Sequence, residues 1–289
     1  MVKLHVKRGD ESLFLYETTV KTKLQDVITD LARIQNQRLK IERLFYDLET
    51  LAKHGICFPP NMQGLTEEQI NDLKLSDEWQ EKCLPSGGSV DCKDPVGRRT
   101  GKAPNEKMAD IINKTRHDAK SQVSKDLVQA NKCLTLADTK EAIDKMKGAV
   151  MIVYPMGLPP HDTVRLEFEN EEDLSGTQAA AQVLEETTVE LWWAGKELLR
   201  SKSLGDYIGK NEKTKIVVKL QKKGQGAPGR EPVVSEEEQK KMMAYYYRKQ
   251  EDMKKLEQNE EDAYLNSEWA DGNQLQRQFQ GVSNIKWRP

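Results

Sequence analysis

The stretch that decides the fold is LWWAGKELLRSKSLGDYIGKNEKTKIVVKL, residues 191–220. It opens within VELWWAG, a short apolar run that predicts a strand, and it closes with a second strand, KIVVKL. In that second strand Ile216, Val218 and Leu220 share one face, because successive residues of a strand point to opposite sides. The stretch therefore predicts two strands of a sheet that is buried on one face.

The residues before this stretch predict the rest of the same domain. AVMIVY (149–154) has the length of a buried strand, and TVRLEFE (163–169) alternates as a second strand of a wide hairpin. DLSGTQAAAQVLEETT (173–188) predicts a helix of about three turns. Strand, strand, helix, strand, strand is the order of a β-grasp domain, which we expect over residues 149–222 of an α+β protein.

The same 30 residues resemble the second half of ubiquitin. The AGK turn at 194–196, the L-x-D-Y segment at 204–207 and the closing strand stand in the same order. The chain continues through LQKKGQGAPGREP and does not stop at a free Gly-Gly. We therefore expect a ubiquitin-like domain that is not a conjugated modifier.

The resemblance also implies a recognition surface. Leu191 should point inward and Trp192 outward, so that Trp192 takes the centre of a hydrophobic patch with Leu158 on the hairpin loop and Val217 on the last strand. The patch is covered either by a partner or by another segment of this chain, and the sequence leaves both open.

Residues 1–83 predict an N-terminal unit built from a hairpin and helices. Alternating apolar residues flank a turn at residues 9–10, and a helical pattern runs from Thr22 to just before Gly55. Asn36 is a candidate break that would divide this region into two shorter helices. A further short helix follows in LTEEQINDLKL, with Trp79 as the anchor of that segment.

The middle of the chain alternates between loop and helix signals. Residues 84–104 are rich in proline and glycine without periodicity, which predicts a mobile linker. Residues 105–148 predict a helical segment whose second helix runs from about Leu136 to Lys147. Gly148 is then a plausible C-cap.

The C-terminal part predicts a linker, a long helix and a tail. A Pro/Gly linker at 223–234 precedes a charged helix at 235–262, and an extended aromatic tail follows at 263–289. The helix carries one apolar stripe, interrupted by Lys249, which is more typical of core packing than of a coiled-coil seam. The members of the stripe are Met242, Tyr246, Met253 and Leu256.

Three aromatic residues of this C-terminal part are candidate docking residues. Tyr264, Trp269 and Trp287 lie in sequence too polar to build its own core. Tryptophan and tyrosine are enriched at interaction hot spots, so a contact role is expected, either on this protein or on a partner.

Composition argues against several classes of protein. Lys+Arg (45) and Asp+Glu (47) nearly cancel, which gives no general basic field for nucleic acid. The apolar runs are shorter than the roughly 18 residues that a membrane helix needs, and the N-terminus lacks the pattern of a signal peptide. Four irregularly spaced cysteines predict reduced thiols. We therefore expect a cytoplasmic protein without a membrane span.

The sequence shows no constellation that predicts catalysis. The four histidines stand outside catalytic contexts, and His54 with Cys57 lacks a second pair of zinc ligands. Residues 224–229 fit GxGxxG, but the motif follows the last strand of the predicted sheet and does not open a helix. We expect neither an enzyme nor a cofactor or metal site.

Longer blocks give a second resemblance over nearly the whole chain. HVKRGDES (5–12), GAVMIVYPMGLPP (148–160), EFENEEDLSGTQA (167–179) and IKWRP (285–289) resemble the Kurly family of cilia- and flagella-associated proteins. The resemblance implies a non-enzymatic protein of motile cilia that acts in cytoplasmic assembly or delivery of outer dynein arms. It also implies association with the basal body and the cytoskeleton, and a link to planar cell polarity.

The same resemblance implies partners of the axonemal dynein assembly pathway, among them a MYND zinc-finger assembly factor and Dishevelled-type proteins. A different class of function stays open, namely a ubiquitin-pathway adaptor that uses its ubiquitin-like domain without conjugation.

Overall fold

The computed structural model describes residues 1–229 and 236–266, which belong to two separate units, 1–229 and 230–289. The strands of the first unit are β1 (Val2–Arg8), β2 (Glu11–Thr18), β3 (Ser89–Asp91), β4 (Lys102–Pro104), β5 (Val189–Trp193), β6 (Lys196–Glu197) and β7 (Lys215–Lys222). Its helices are α1 (Leu24–His54), α2 (Glu67–Asp72), α3 (Trp79–Lys82), α4 (Glu106–Gln122), α5 (Asp126–Gln129), α6 (Leu136–Val153), α7 (Thr163–Glu169), α8 (Gln178–Gln182) and α9 (Gly205–Ile208). The second unit contains α10 (Glu236–Asn266).

A five-stranded mixed sheet with the order β2-β1-β7-β5-β6 organises the first unit. The N-terminal hairpin forms as predicted, and Gly9 in its turn has φ +60°. β1 lies parallel to β7, with Leu4 opposite Ile216, whereas β5 lies antiparallel to β7, with Leu191 opposite Leu220. The central pair of strands thus joins the two ends of this unit.

One face of the sheet and the long helix α1 form the main core. The inward residues of β1 and β7, such as Leu4 and Val218, are fully buried, and so are Leu24 and Leu31 of α1. Each aliphatic side chain buried in this way contributes about 1.5–3 kcal/mol. α4 and α6 pack beside α1, so that a layer of helices continues the core beyond the sheet.

α1 is a single helix of 31 residues, and the break considered at Asn36 does not occur. The Asn36 amide group donates to the Leu184 carbonyl at 2.7 Å, and its oxygen accepts from the Leu184 N–H at 2.9 Å. The side chain therefore satisfies the backbone of a distant loop and leaves its own helix intact. The helix ends before Gly55, as the sequence predicts.

The two strands predicted at 149–154 and 163–169 are helical, so the expected hairpin is wrong. α6 continues through Gly148 to Val153, with Val150 and Val153 buried and Ile152 exposed. This is the spacing of a helix face, and a short apolar run is equally compatible with a strand and with a buried helix. The capped start of α7 at Asp162 converts the second run into a helix.

The sheet therefore takes its other two strands from the N-terminus. β5, β6 and β7 lie where residues 191–220 predict strands, but β1 and β2 replace the hairpin expected within 149–222. The helix predicted at 173–188 is reduced to the five residues of α8. The prediction of an α+β protein holds, whereas residues 149–222 do not contain the whole sheet.

Residues 84–104 contain regular structure and are bonded to the body of the unit. β3 and β4 pair with each other, and the segment between them lies against the end of α1. The Phe58 N–H donates to the Arg98 carbonyl at 2.8 Å, and the Thr100 N–H donates to the Ile56 carbonyl at 2.9 Å. The predicted lack of structure is therefore wrong, because tertiary hydrogen bonds replace the missing periodicity.

Candidate interaction surfaces

The outer face of the sheet, opposite α1, carries the predicted patch residue Trp192. Its indole is partly exposed, and the indole N–H donates to a Glu190 carboxylate oxygen at 3.4 Å. Trp192 lies opposite Glu197 on β6 and opposite Lys219 on β7. The predicted alternation is correct, since Leu191 is fully buried on the other face.

Val217 belongs to the same outer face and is 37% exposed. It stands two residues before Lys219 on β7, which makes it a diagonal neighbour of Trp192. Across the parallel pair of β1 and β7, Val217 lies opposite His5. The structure thus brings two of the three predicted patch residues to one side of the sheet.

Leu158, the third predicted patch residue, lies in the core and is only 5% exposed. The hairpin loop that should present it does not exist, since residues on both sides of it are helical. The Leu158 carbonyl accepts from the Arg165 guanidinium at 3.1 Å, which holds this turn against α7. The inclusion of Leu158 in an exposed patch is therefore wrong.

The sheet itself supplies Lys219 as the nearest neighbour of Trp192. Its side chain is largely buried, with the ammonium donating to the Gly229 carbonyl at 3.0 Å and lying 3.9 Å from Asp10. Sequence reasoning missed Lys219 because its ion pair with Asp10 depends on the pairing of β1 with β7, which no local pattern predicts. The partners of Lys219 fix the cation, so that its aliphatic stem lies beneath the surface, across the strand pair from Trp192.

The neighbouring positions of this face carry charges of both signs, since Glu190 and Glu197 lie beside Trp192 and Glu17 of β2 lies opposite Lys3. Lys3 of β1 lies opposite Lys215 of β7, with both side chains on the outer side. Leu15 of β2 would extend the apolar area, but it is fully buried, because residues around Leu134 run alongside β2. The accessible apolar area on this face is thus small and centred on Trp192 and Val217, with lysines and glutamates at its edge.

The C-terminal docking residues cannot be placed in the same way. Tyr264 falls within α10, but its side chain lies outside the described residues, as do Trp269 and Trp287 entirely. Their proposed contact role remains a prediction. Ser235, the predicted cap of this helix, is also outside the described part of the chain.

The apolar stripe of α10 is exposed in the structure. Met242 is 45% exposed, Tyr246 67%, Met253 57% and Leu256 63%. Residues at this spacing occupy one side of a helix. The core packing that the sequence favours for this stripe stays a prediction. α10 is thus a second candidate surface, considered on its own.

Sequence reasoning missed a buried polar cluster centred on Asp162. The carboxylate is fully buried; it caps α7 by accepting from the Val164 N–H at 3.0 Å, and it accepts from the Cys57 N–H at 2.9 Å. The Arg99 guanidinium lies 3.7 Å away and donates to the Gly55 carbonyl at 2.7 Å. An aspartate directly before TVRLEFE is the signal that could have indicated a helix start there.

Glu167 is a second buried acid, on the next turn of α7. Burial, together with the nearby Asp47 and Glu172 carboxylates, raises the pKa of its carboxyl to about 9 against the opposing effect of Arg43 and Lys40. One of its oxygens is buried without a hydrogen-bond partner. The group is therefore neutral at pH 7 and contributes to the contact of α7 with α1 as a buried acid.

These buried groups do not form a reactive or metal-binding site. Burial raises the pKa of the Cys57 thiol to about 11, which keeps it protonated, and His54 interacts with the Cys92 carbonyl through Nδ1. Within residues 1–229 and 236–266, no group of three or more His, Cys, Asp or Glu side chains could hold a metal ion. No helix in this part of the chain is both long and apolar enough to cross a bilayer.

Comparisons with known proteins give full-length matches to curated relatives and a match of a family model to the C-terminal third of the chain. A family model described as cilia- and flagella-associated protein 298 matches residues 189–285. Cilia- and flagella-associated protein 298 of Homo sapiens and 298-A of Xenopus laevis are each 60% identical over 289 residues, which is all of both chains. The Drosophila melanogaster relative is 49% identical over 288 residues, covering 100% of this chain and 99% of its own. No solved structure matches.

Proposed function

Because the chain belongs to the family of cilia- and flagella-associated protein 298, we propose that it serves motile cilia as a non-enzymatic adaptor in the assembly of outer dynein arms. The single observation that supports a ciliary role is identity of 49–60% extending over essentially the full length of relatives with that name. An adaptor role agrees with the surfaces described above, which expose aromatic and apolar side chains.

We also propose that the first unit is a ubiquitin-like β-grasp with a large helical insertion. In this view the hairpin of β1 and β2, the helix α1 and the strands β5, β6 and β7 form the grasp, and the segment from 56 to 188 is inserted between α1 and β5. The strand order and the parallel central pair support this proposal. The outer face with Trp192 is then the face that a ubiquitin-like domain offers to partners.

The proposed recognition surface consists of Trp192 and Val217 with the lysines around them. Partly exposed tryptophan in a small apolar area is the usual composition of an interaction hot spot, and the lysines and glutamates around it favour partners whose charges complement this mixed edge. Partners in this proposal are proteins of the dynein assembly pathway, including a MYND zinc-finger factor. Dishevelled-type proteins would connect the same adaptor to basal body position and planar cell polarity.

The test replaces Trp192 by alanine in ciliated cells that lack the endogenous protein. We expect the Trp192→Ala chain to accumulate normally but to leave axonemes without outer dynein arms, counted in cross-sections by electron microscopy. Met156→Ala is the matched control, because Met156 is 77% exposed and lies outside the sheet. Full restoration of the arms by Trp192→Ala would refute the role of this surface.

The alternative function is a ubiquitin-pathway adaptor, favoured by the position of Trp192 on the outer face of a sheet with this strand order. The same two variants decide between the functions when the proteins they bind are recovered from ciliated-cell cytosol. Loss of proteasome subunits with Trp192→Ala supports the alternative, whereas loss of dynein chains or assembly factors supports the proposal above.

A further inference from the structure

The apolar stripe of α10 follows the spacing of a helix-pairing seam. Met242, Tyr246, Lys249, Met253 and Leu256 are separated by four, three, four and three residues. This alternation places all five along one line of the helix, as in the core positions of a coiled coil. At 1.5 Å per residue the seam is about 21 Å long.

The seam is suited to a partner because its side chains are exposed. Met243, Tyr245 and Tyr247 outside the seam are exposed as well, whereas the other residues from 248 to 257 are charged or polar. Its four apolar members are between 45% and 67% exposed, and Lys249 in the middle is exposed as well. A lysine within an apolar seam costs stability unless a carboxylate faces it, since pairing leaves its ammonium without water. Lys249 therefore favours a partner helix that places a carboxylate opposite it over helices that are otherwise similar.

The charges beside the seam are acidic. In the register set by Met253 and Leu256, Asp252 and Glu257 fall on the two flanking rows, where facing helices exchange ion pairs. These two rows favour a partner with lysine or arginine at its own flanks. The basic residues of this stretch, such as Lys254, lie elsewhere on the circumference of the helix, about 140° from Lys249.

A second copy of this chain is a poor occupant. In a parallel pair Lys249 would face Lys249, and Asp252 would face Glu257 of the other copy twice. In an antiparallel pair with Lys249 against Met253, Asp252 would face Asp252. Both of these registers bury or oppose like charges, which disfavours self-association through them.

We propose that α10 docks a different protein through an amphipathic helix that places a glutamate or aspartate opposite Lys249 and basic residues opposite Asp252 and Glu257. The partner helix covers Met242, Tyr246, Met253 and Leu256 with apolar core residues of its own. This surface is independent of the Trp192 face and goes beyond the adaptor role proposed above.

The test uses two synthetic helical peptides as probes for the full-length protein. Both have leucine at the core positions and lysine at the flanking positions, and they differ only in glutamate or lysine at the core position that faces Lys249. Binding is measured by fluorescence anisotropy of the labelled peptide. We expect the glutamate peptide to bind at least about tenfold more tightly, in line with the cost of opposing like charges at one desolvated position.

Charge reversal supplies the decisive comparison. Lys249→Glu should invert the preference of the protein for the two peptides, whereas the matched control Lys254→Glu, with the same change in net charge, should preserve it. Circular dichroism of both variants checks that the helix remains. A preference that Lys249→Glu does not invert, or the absence of binding by both peptides, would overturn the proposal.

Self-association is measured on the same samples by sedimentation equilibrium. We expect a monomer over the accessible range of concentration. A dimer that Met253→Asp abolishes would show that the seam pairs two copies of this chain, and would overturn the proposed heteromeric partner.

Discussion

Replacing Asp162 by alanine should strongly destabilise the first unit. The carboxylate is fully buried, accepts two backbone N–H groups and lies 3.7 Å from Arg99, which is itself only 5% exposed. Loss of the cap on α7 costs about 0.5–2 kcal/mol. Breaking a buried ion pair costs about 3–5 kcal/mol, because the Arg99 guanidinium is left buried without the carboxylate. These effects overlap at one site, so we expect a loss of about 3–5 kcal/mol in the free energy of unfolding.

The measurement is urea-induced unfolding followed by circular dichroism and by tryptophan fluorescence. Asp10→Ala is the matched control, because Asp10 also lies near a cation, 3.9 Å from Lys219, but is 72% exposed. Exposed pairs contribute about 0–1 kcal/mol, so the control should change stability little.

A double variant separates the ion pair from the cap. Arg99→Met in the Asp162→Ala background removes the unpaired guanidinium, and we expect it to recover part of the lost stability. A destabilisation below about 1 kcal/mol for Asp162→Ala would refute the reasoning, since it would mean that this cluster does not hold residues 56–57 and the segment around Arg99 against α7.

Three further predictions concern the pH response, one backbone position and the two faces of β5. Glu167→Gln should flatten the pH dependence of stability. Because the pKa of Glu167 is raised in the folded state, the native protein loses stability as pH rises from about 4.5 towards 9, by at most about 1.4 kcal/mol per pH unit. Unfolding of the native protein and the variant across this pH range measures the difference. An unchanged slope would contradict a neutral Glu167. Gly55→Ala should lower the free energy of unfolding by at least about 1–3 kcal/mol, because φ is +76° and a Cβ would lie 2.1 Å from the Lys102 carbonyl oxygen. Gly64 has a similar φ of +78° but open space around it, so Gly64→Ala should cost clearly less in thermal unfolding. Leu191→Ala should cost about 2–5 kcal/mol and Trp192→Ala much less, and equal losses in urea unfolding would mean that the assigned faces of β5 are wrong.

Local patterns predicted much of the structure from the sequence. The hairpin of β1 and β2, the extent of α1 up to Gly55 and the two strands of residues 191–220 all follow from alternation, helical spacing and turn residues. The predicted inward position of Leu191 and outward position of Trp192 also hold, because the pleat of a strand fixes them locally.

The errors arose where distant contacts decide the structure. The run at 149–154 is compatible with a strand or a helix, and packing of α6 against α1 and α4 selects the helix. The structure of residues 84–104 depends on hydrogen bonds to residues near Ile56, which no local pattern encodes. Leu158 was assigned to the candidate surface only through the false hairpin, and the position of Lys219 beside Asp10 needs the pairing of β1 with β7.

The parallel pairing of β1 with β7 constrains how the chain folds during synthesis. β1 is complete at Arg8, but its partner begins only at Lys215, so the central contact of the sheet must wait for more than two hundred further residues. At the usual 5–20 residues per second, the ribosome needs roughly 10–40 s to deliver that strand. During this interval the hairpin keeps an unpaired, β-rich edge, which is the kind of surface that associates with other chains.

A chain that terminates before Lys215 would keep this edge permanently. Nonsense mutations late in the first unit should therefore yield an aggregating or rapidly degraded product, even though most of the helices have already been made. The sheet can therefore be completed only after both ends of the unit have been synthesised, because its central strand β7 is made last.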